Sequence, residues 1–429
     1  MNQNNQRRRV VISGIGAVSH LGSTIQALWN GCLNGHSGIR RITQFDASEF
    51  PCQIAGEVPD FEVENYIERK EARRLPRSTQ IAFAAAVQAV ADARLPDNLP
   101  DPERAAVVFG TAMGGVDRID EGLQVLRTAG YERVNPFVIP SAIPNLSSFW
   151  IARQFRCLGP NSTIVTACAT GTQAVGEATE LIRRNAADIV ITGGTESLIR
   201  DFAIAGFSAM RALPVSYNNS PASASRPFDA KREGFIFSEG AGALIVESLE
   251  HAQNRGAPIY AEVIGQASSS DGYHVAMPDP TALGASRAIL WALQDAGVRP
   301  AEVDYINAHG TSTPLNDVHE TIAIKQVFGE QAKQLAISST KSMLGHAMGA
   351  SGALEAIICA LVILNGQIPP TINYEFPDPE CDLDYVPNIS RKQNVNIALS
   401  NSFGLGGQNA CLVLRKIKEQ GISNADHHE

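Results

Sequence analysis

The 429-residue chain has no CxxC pair, and its seven cysteines (Cys32, Cys52, Cys157, Cys168, Cys359, Cys381 and Cys411) are scattered and odd in number. That excludes a disulfide framework and a cysteine-rich zinc site, and it fits a reducing, cytoplasmic setting. Positive charge is also short: 35 Lys and Arg face 44 Asp and Glu, for a formal net charge of −9. General nucleic-acid binding, which wants a basic surface, is therefore not expected. No run is expected to reach the roughly 18–20 apolar residues of a membrane span. After Arg7-Arg8-Arg9, Ser13 and the glycines interrupt the apolar stretch Val10 to Gly16, and no cleavage-site pattern follows. No signal peptide is predicted. A GxxxxGK[ST] phosphate loop is absent, and Gly404-Leu-Gly-Gly407 does not open a dinucleotide fingerprint.

What is present reads as a duplicated α/β plan. The length allows two or three domains or one large layered unit, and 44% hydrophobic residues suffice for a substantial core. Arg104-Ala-Ala-Val-Val-Phe-Gly-Thr111 has a counterpart in Val303-Asp-Tyr-Ile-Asn-Ala-His-Gly-Thr311, each a strand ending at a Gly-Thr turn. Ser162 to Cys168 with its small-residue helix matches Gln334 to Lys341 with Gly345 to Ala356, and Asp188 to Gly194 matches Val395 to Asn401. Strands alternating with helices favour sheets covered on both faces. Two such halves would pack their small-residue helices back to back in a central layer. The expected units are 1–255, 256–415 and a polar tail, 416–429, carrying His427-His428. The proline-rich segments near 110–150 and 195–235 read as elaborations over a site or a subunit interface. For the polar stretch 215–226, a merely solvated loop is an equal alternative.

Chemistry concentrates at four motifs. In Thr163-Ile-Val-Thr-Ala-Cys-Ala-Thr-Gly171, a β-branched stretch stops at a cysteine and a run of small residues follows. It predicts a strand, a tight turn and a buried helix, with Cys168 at the helix N-terminus where the dipole would lower the thiol pKa. A small apolar core cysteine is the alternative. Asn307-Ala-His-Gly-Thr-Ser-Thr-Pro314 puts His309 just past a strand end, where functional side chains tend to project. Ser338 to Gly352 sets Lys341 and His346 around a glycine turn, and Glu355 then lies inside an apolar helix where Lys341 is its natural partner. The fourth motif, Asn401-Ser-Phe-Gly-Leu-Gly-Gly-Gln-Asn409, exposes backbone N–H groups suited to an oxyanion or a phosphate. A cysteine, two histidines and a buried Lys–Glu pair suit covalent acyl chemistry, with imidazoles steadying an enolate oxygen.

In this order, these four motifs resemble those of β-ketoacyl-[acyl-carrier-protein] synthases, above all the elongating synthase II type. Ala224-Ser-Arg-Pro-Phe-Asp229, Glu239-Gly-Ala-Gly242 and Pro369-Pro-Thr-Ile-Asn373 extend the likeness from about Val10 to Leu414. The resemblance implies a thiolase-like α/β/α/β/α fold with two duplicated halves, a homodimer, and no organic cofactor or catalytic metal. It implies Cys168 as acyl acceptor, with His309 and His346 promoting malonyl decarboxylation and Lys341 and Glu355 supporting the site. Phe403 would be a gate and oxyanion-hole donor, and Thr311 and Thr313 would touch the pantetheine arm. Met113 falls where related enzymes line the acyl pocket, and Val138 where they often carry an aromatic. Asn316, Leu405 and Gln408 depart from the usual glycine, phenylalanine and threonine. They bear on chain-length preference and leave a specialised polyketide or polyene ketosynthase as an alternative.

Arg69-Lys70-Glu71-Ala72-Arg73-Arg74 spaces four cations to share a helical face. A solvated helix is the plain reading. The resemblance implies instead a docking patch for acidic acyl carrier protein, extended by Arg133 and Arg211. A biosynthetic thiolase would need a second cysteine where Phe403 stands, and an initiating synthase a Cys-His-Asn set. A non-catalytic chain-length partner would usually lack the cysteine. His20 and His274 read as structural.

Overall fold

The computed structural model describes residues 7–417; the His427-His428 tail lies outside the described residues. In chain order the principal elements are β1 (Val10–Ser19), α1 (Arg77–Asp92), β2 (Ala105–Thr111), α2 (Leu146–Phe155), β3 (Asn161–Ser162), α3 (Thr170–Arg183), β4 (Ile189–Glu196) and β5 (Gly240–Ser248). The same succession then repeats: β6 (Ala261–Ser270), α4 (Leu283–Ala296), β7 (Tyr305–Asn307), α5 (Pro314–Phe328), β8 (Ala336–Ser338), α6 (Ser351–Asn365), β9 (Ile397–Gly404) and β10 (Gln408–Arg415).

Hydrogen bonding gives the strand order β8-β7-β9-β10-β6-β1-β5-β4-β2-β3. Read outward from the centre, each half has the same order and the same senses. Three parallel strands (β3, β2, β4; β8, β7, β9) meet an antiparallel pair (β5, β1; β10, β6). The halves join where β1 and β6 pair antiparallel at Val11–Glu262 and Ile12–Ala261.

The layers follow from which faces are apolar. Helix α1 packs on β1 and β5, and α2 on β2; in the second half α4 packs on β6 and β10, with α5 against α4. Between the two half-sheets run α3 and α6, which touch each other and strands of both halves. That gives five layers, α/β/α/β/α. In that middle layer α6 is buried from Ser351 to Ile363, whereas α3 keeps Glu177 exposed. With the turn before it, Met348–Asn365 forms an 18-residue run of mean hydropathy 1.8, overturning the expectation that no stretch is long enough to span a membrane. Of that run 89% is buried inside this chain, so its apolarity serves the central layer.

The crossing of α3 and α6 needs small residues. A Cβ on Gly171 would lie 2.5 Å from the Ala353 nitrogen, and one on Gly352 2.4 Å from the Thr172 nitrogen. Both helices are entered in the same way. A residue at positive φ (Ala167 at 49°, Met348 at 44°) opens a single 3-10 turn, Ala167–Ala169 or Met348–Ala350, and the α-helix follows. The expected strand before Cys168 is short. Only Asn161–Ser162 pairs with β2 as a strand, and Thr163 to Thr166 continue with a single backbone bond to it, from the Thr111 N–H to the Ile164 carbonyl (3.2 Å). The stretch 215–226 is pinned at both ends, not merely solvated. The Asn218 carboxamide accepts from the Gln53 N–H (2.9 Å), and the buried Ser225 hydroxyl donates to the Lys341 carbonyl (2.7 Å).

Candidate active site

Four loop motifs converge at one end of the central layer. Cys168 is 5% exposed and sits in the 3-10 turn ahead of α3. His309 follows β7, and His346 follows the turn that holds Lys341. One donor atom from each of Cys168, His309 and His346 lies within 4.8 Å of the other two. The imidazoles meet edge to face, centroids 5.4 Å apart, and Phe403 packs edge-on to His309 at 5.7 Å. His346 is clamped through its backbone: its N–H donates to Ile236 (2.7 Å), and its carbonyl accepts from Ser238 (3.1 Å). Its Nδ1 meets the Ser351 hydroxyl at 3.1 Å, leaving Nε2 buried without a partner among the described residues. His309 Nδ1 is likewise buried and unpartnered.

The electrostatics correct one expectation. Burial pushes the Cys168 thiol up to about 11, not down, because the sulfur is desolvated and α3 proper starts two residues later at Thr170. Opposing that rise are the Leu405 N–H, which reaches the sulfur, and the positive charge of Lys341. Burial holds His309 and His346 well below the usual imidazole range, and Lys341 adds to both shifts. Both rings are therefore neutral at pH 7, each with one N–H donor and one acceptor nitrogen. Lys341 pairs with Glu355 as expected, both almost fully buried. Burial drives the Glu355 carboxyl upward against the pull of that ammonium. Cysteine and histidine are also zinc-ligand types, but an ammonium close enough to act on all three opposes a dication there.

The three side chains open onto a cavity of about 370 Å³. Thr311 and Thr313 line it, their hydroxyls 2.9 Å apart, together with Phe403, Leu405 and Arg211. Met113 and Val138 do not line it. Met113 is 46% exposed on the surface of the chain, and Val138 covers Gly122 beside a second, smaller cleft. Arg73, Arg74 and Arg133 border that second cleft, where the Arg74 guanidinium lies 4.9 Å from the Phe137 ring centroid. The helix carrying Arg69 and Lys70 is a single turn, Arg69–Ala72, shorter than the shared face predicted from spacing. Arg69 and Lys70 on that turn, and Arg73 and Arg74 just after it, are nonetheless exposed.

A family model for the β-ketoacyl synthase N-terminal domain matches residues 7–252, and one for the β-ketoacyl synthase C-terminal domain matches 260–375. The chain belongs to the β-ketoacyl synthase family. It is 48% identical over 413 residues to a 3-oxoacyl-[acyl-carrier-protein] synthase 2 of Synechocystis sp., covering 96% of this chain and 99% of that relative. It is also similar to the solved ishigamide ketosynthase/chain length factor, with a TM-score of 0.90 and 40% identity over 96% of this chain and 100% of that one. A type II polyketide ketosynthase, solved with its acyl-carrier protein and bound to the hexaketide, superposes with a TM-score of 0.88. It is 36% identical, again over 96% and 100% of the two chains.

The turns of this β-ketoacyl synthase depend on carboxylates that the motif reading passed over. Glu320 accepts from the His309 and Gly310 N–H groups (2.9 and 2.7 Å), fixing the turn that presents His309. Glu196 accepts from the Ala112 N–H (2.8 Å) and the Thr111 hydroxyl (3.2 Å) at the end of β2. Burial pushes each up to about 7, against the N–H groups that stabilise the ionised form. Glu239 accepts from Arg77, Ser197 and the Val58 N–H. Glu239 stood in a quoted motif, and Glu320 follows the histidine motif by a few residues. Nothing in their spacing says what they hold. His20 and His274 are structural as expected: His20 Nε2 lies 3.1 Å from the Met343 carbonyl, and His274 Nδ1 accepts from Ala276 and Met277.

Proposed function

We propose that this chain is an elongating 3-oxoacyl-[acyl-carrier-protein] synthase serving fatty-acid synthesis. The Cys168 sulfur attacks an acyl thioester carbonyl, the carrier thiol leaves with the proton the cysteine gives up, and the acyl chain stays on the enzyme. A malonyl thioester then occupies the cavity. Its C–C bond to the carboxylate breaks, CO₂ departs, and the electron pair remains as an enolate. N–H donors of the neutral His309 and His346 bind that enolate oxygen, and Lys341 with Glu355 sets the field around them. The enolate carbon attacks the acyl-cysteine carbonyl and expels the thiolate, releasing a chain two carbons longer. Backbone N–H groups of Cys168 and Phe403 would hold the oxyanion in both steps, with Phe403 as the gate and Thr311 and Thr313 along the arm. One observation carries the reading: a buried thiol and two imidazoles share a 4.8 Å triangle, with a free buried nitrogen on each ring.

The partner is acyl carrier protein in its acyl and malonyl forms, docking on Arg69, Lys70, Arg73, Arg74, Arg133 and Arg211, and the setting is cytoplasmic. A homodimer is supported by the sheet's unequal ends. Strand β8 is buried, whereas β3 is exposed and flanked by exposed Phe149 (50%), Leu158 (63%) and Val165 (48%). A second copy over that edge would also cover Met113 and the Val138 segment, where a shared acyl pocket would form. The domains divide near residue 255, between β5 and β6. Similarity to polyketide ketosynthases, together with Leu405 at the cavity wall, favours a specialised ketosynthase as the second reading. Cys168 itself argues against a non-catalytic partner subunit.

A condensation assay with malonyl carrier protein and acyl carrier proteins of graded chain length, read by mass spectrometry, tests the proposal. Two-carbon extension through an acyl-Cys168 adduct is expected. Retained extension by Cys168→Ala would overturn the mechanism.

A further inference from the structure

His319 lies in the second turn of α5, immediately before the Glu320 that anchors His309. It is 4% exposed, and among the described residues neither ring nitrogen has a partner. Its ring stands edge-on to Phe403 (6.0 Å, 87°), on a second contact of the phenyl ring that also meets His309. It lines the same cavity as Cys168. Along that wall run Thr311, Thr313, Asn316 and His319, the last two three residues apart on one helix face. The lining also includes apolar Phe207, Met210, Met277 and Leu405 and polar Arg211, Glu233, Asp271 and Asn409, so Thr311, Thr313, Asn316 and His319 are the polar row supplied by one continuous segment.

A buried imidazole with two nitrogens that meet no protein partner needs a ligand or water to satisfy them, and one that lines a substrate cavity is placed for a ligand. Burial keeps the ring neutral, against the nearby carboxylates of Asp271 and Asp279. A neutral imidazole offers one donor and one acceptor, which complements a secondary amide. A carboxylate would want donors only, and Asp271 and Asp279 would repel it. Asp271 is already engaged by the Asn409 carboxamide (2.7 Å) and the Asp279 N–H (3.2 Å). We propose that His319 is a substrate-contact residue that hydrogen-bonds an amide of the thioester arm, extending the polar row past Thr311 and Thr313. The inference rests on the synthase reading given above.

The test compares His319→Ala and His319→Gln with the parent enzyme, using malonyl-pantetheine and a malonyl thioester of a simple alkyl thiol that carries no amide. His319→Ala should raise KM for malonyl-pantetheine by about five- to tenfold, with a smaller change in kcat. The loss in kcat/KM should be several-fold larger for the amide-bearing substrate, and His319→Gln, which keeps a donor and an acceptor, should recover most of it. Equal losses on both substrates, an unchanged KM, or no recovery by glutamine would overturn the inference alone. A folded parent enzyme unable to condense malonyl carrier protein would overturn the synthase reading, and the inference with it.

Discussion

The two central helices are built alike and used differently. Each follows a positive-φ residue and one 3-10 turn, and the middle residue of that turn is Cys168 in the first half and Gly349 in the second. The second half could not carry a side chain there: a Cβ on Gly349 would lie 2.6 Å from the Ala112 nitrogen. Its chemistry sits earlier, at His346, and on the neighbouring strand end, at His309. Duplication thus supplies two equivalent backbone slots, and the close approach of Ala112 to Gly349 leaves room for a side chain in only one of them. The thiol comes from one half and the imidazoles from the other, so the cluster exists only where the halves meet.

The strongest test of that division replaces the imidazoles. His309→Ala and His346→Ala should lower decarboxylative condensation by about 10²- to 10⁴-fold while Cys168 acylation survives better. Equal loss of both half-reactions would mean the halves do not divide the work. The shared crossing is the next target. Gly352→Ala should destabilise the fold by about 1–3 kcal/mol through overpacking, whereas Gly206→Ala, with nothing near its Cβ, should be almost silent. Thermal unfolding of the two variants checks the contrast, and equal midpoints would show that the crossing tolerates a methyl group.

The thiol itself allows a graded measurement. Because burial raises its pKa to about 11, Cys168 is protonated at neutral pH, and its thiolate fraction grows as pH rises toward that value. Alkylation by iodoacetamide should therefore speed up about tenfold per pH unit across the neutral-to-alkaline range, without levelling off below pH 9. A plateau near neutrality would show that the turn and Lys341 outweigh desolvation. The smallest effect concerns a surface found on the first half alone. Charge reversal at Lys70, Arg73 and Arg74 should raise the KM for carrier protein several-fold at low salt, and less at high salt. No change would return these residues to the role of a solvated turn.

Much of this was legible from residue order. The β-branched stretches and glycine turns mark the strand ends, and small residues after Cys168 and His346 mark helices too slim for a surface. Lys341 and Glu355 find each other because an isolated charge in an apolar helix demands a partner. Other features were not legible. The membrane-length run at Met348–Asn365 belongs to a helix enclosed by two sheets, and apolarity cannot tell one low-dielectric surrounding from another. The strand expected at Thr163–Thr166 fails because ladder bonds depend on a neighbouring strand as well as on propensity.

By itself, the sequence determined the candidate groups, their order along two similar halves, and the backbone turns that present them. Those are local matters of residue type and spacing. The tertiary structure alone decided the thiol's protonation state, the roles of Glu196 and Glu320, and the placing of His319 beside Phe403. Desolvation, hydrogen-bond closure and ring contacts depend on which distant segments fold together, and a 141-residue separation between Cys168 and His309 carries no such information.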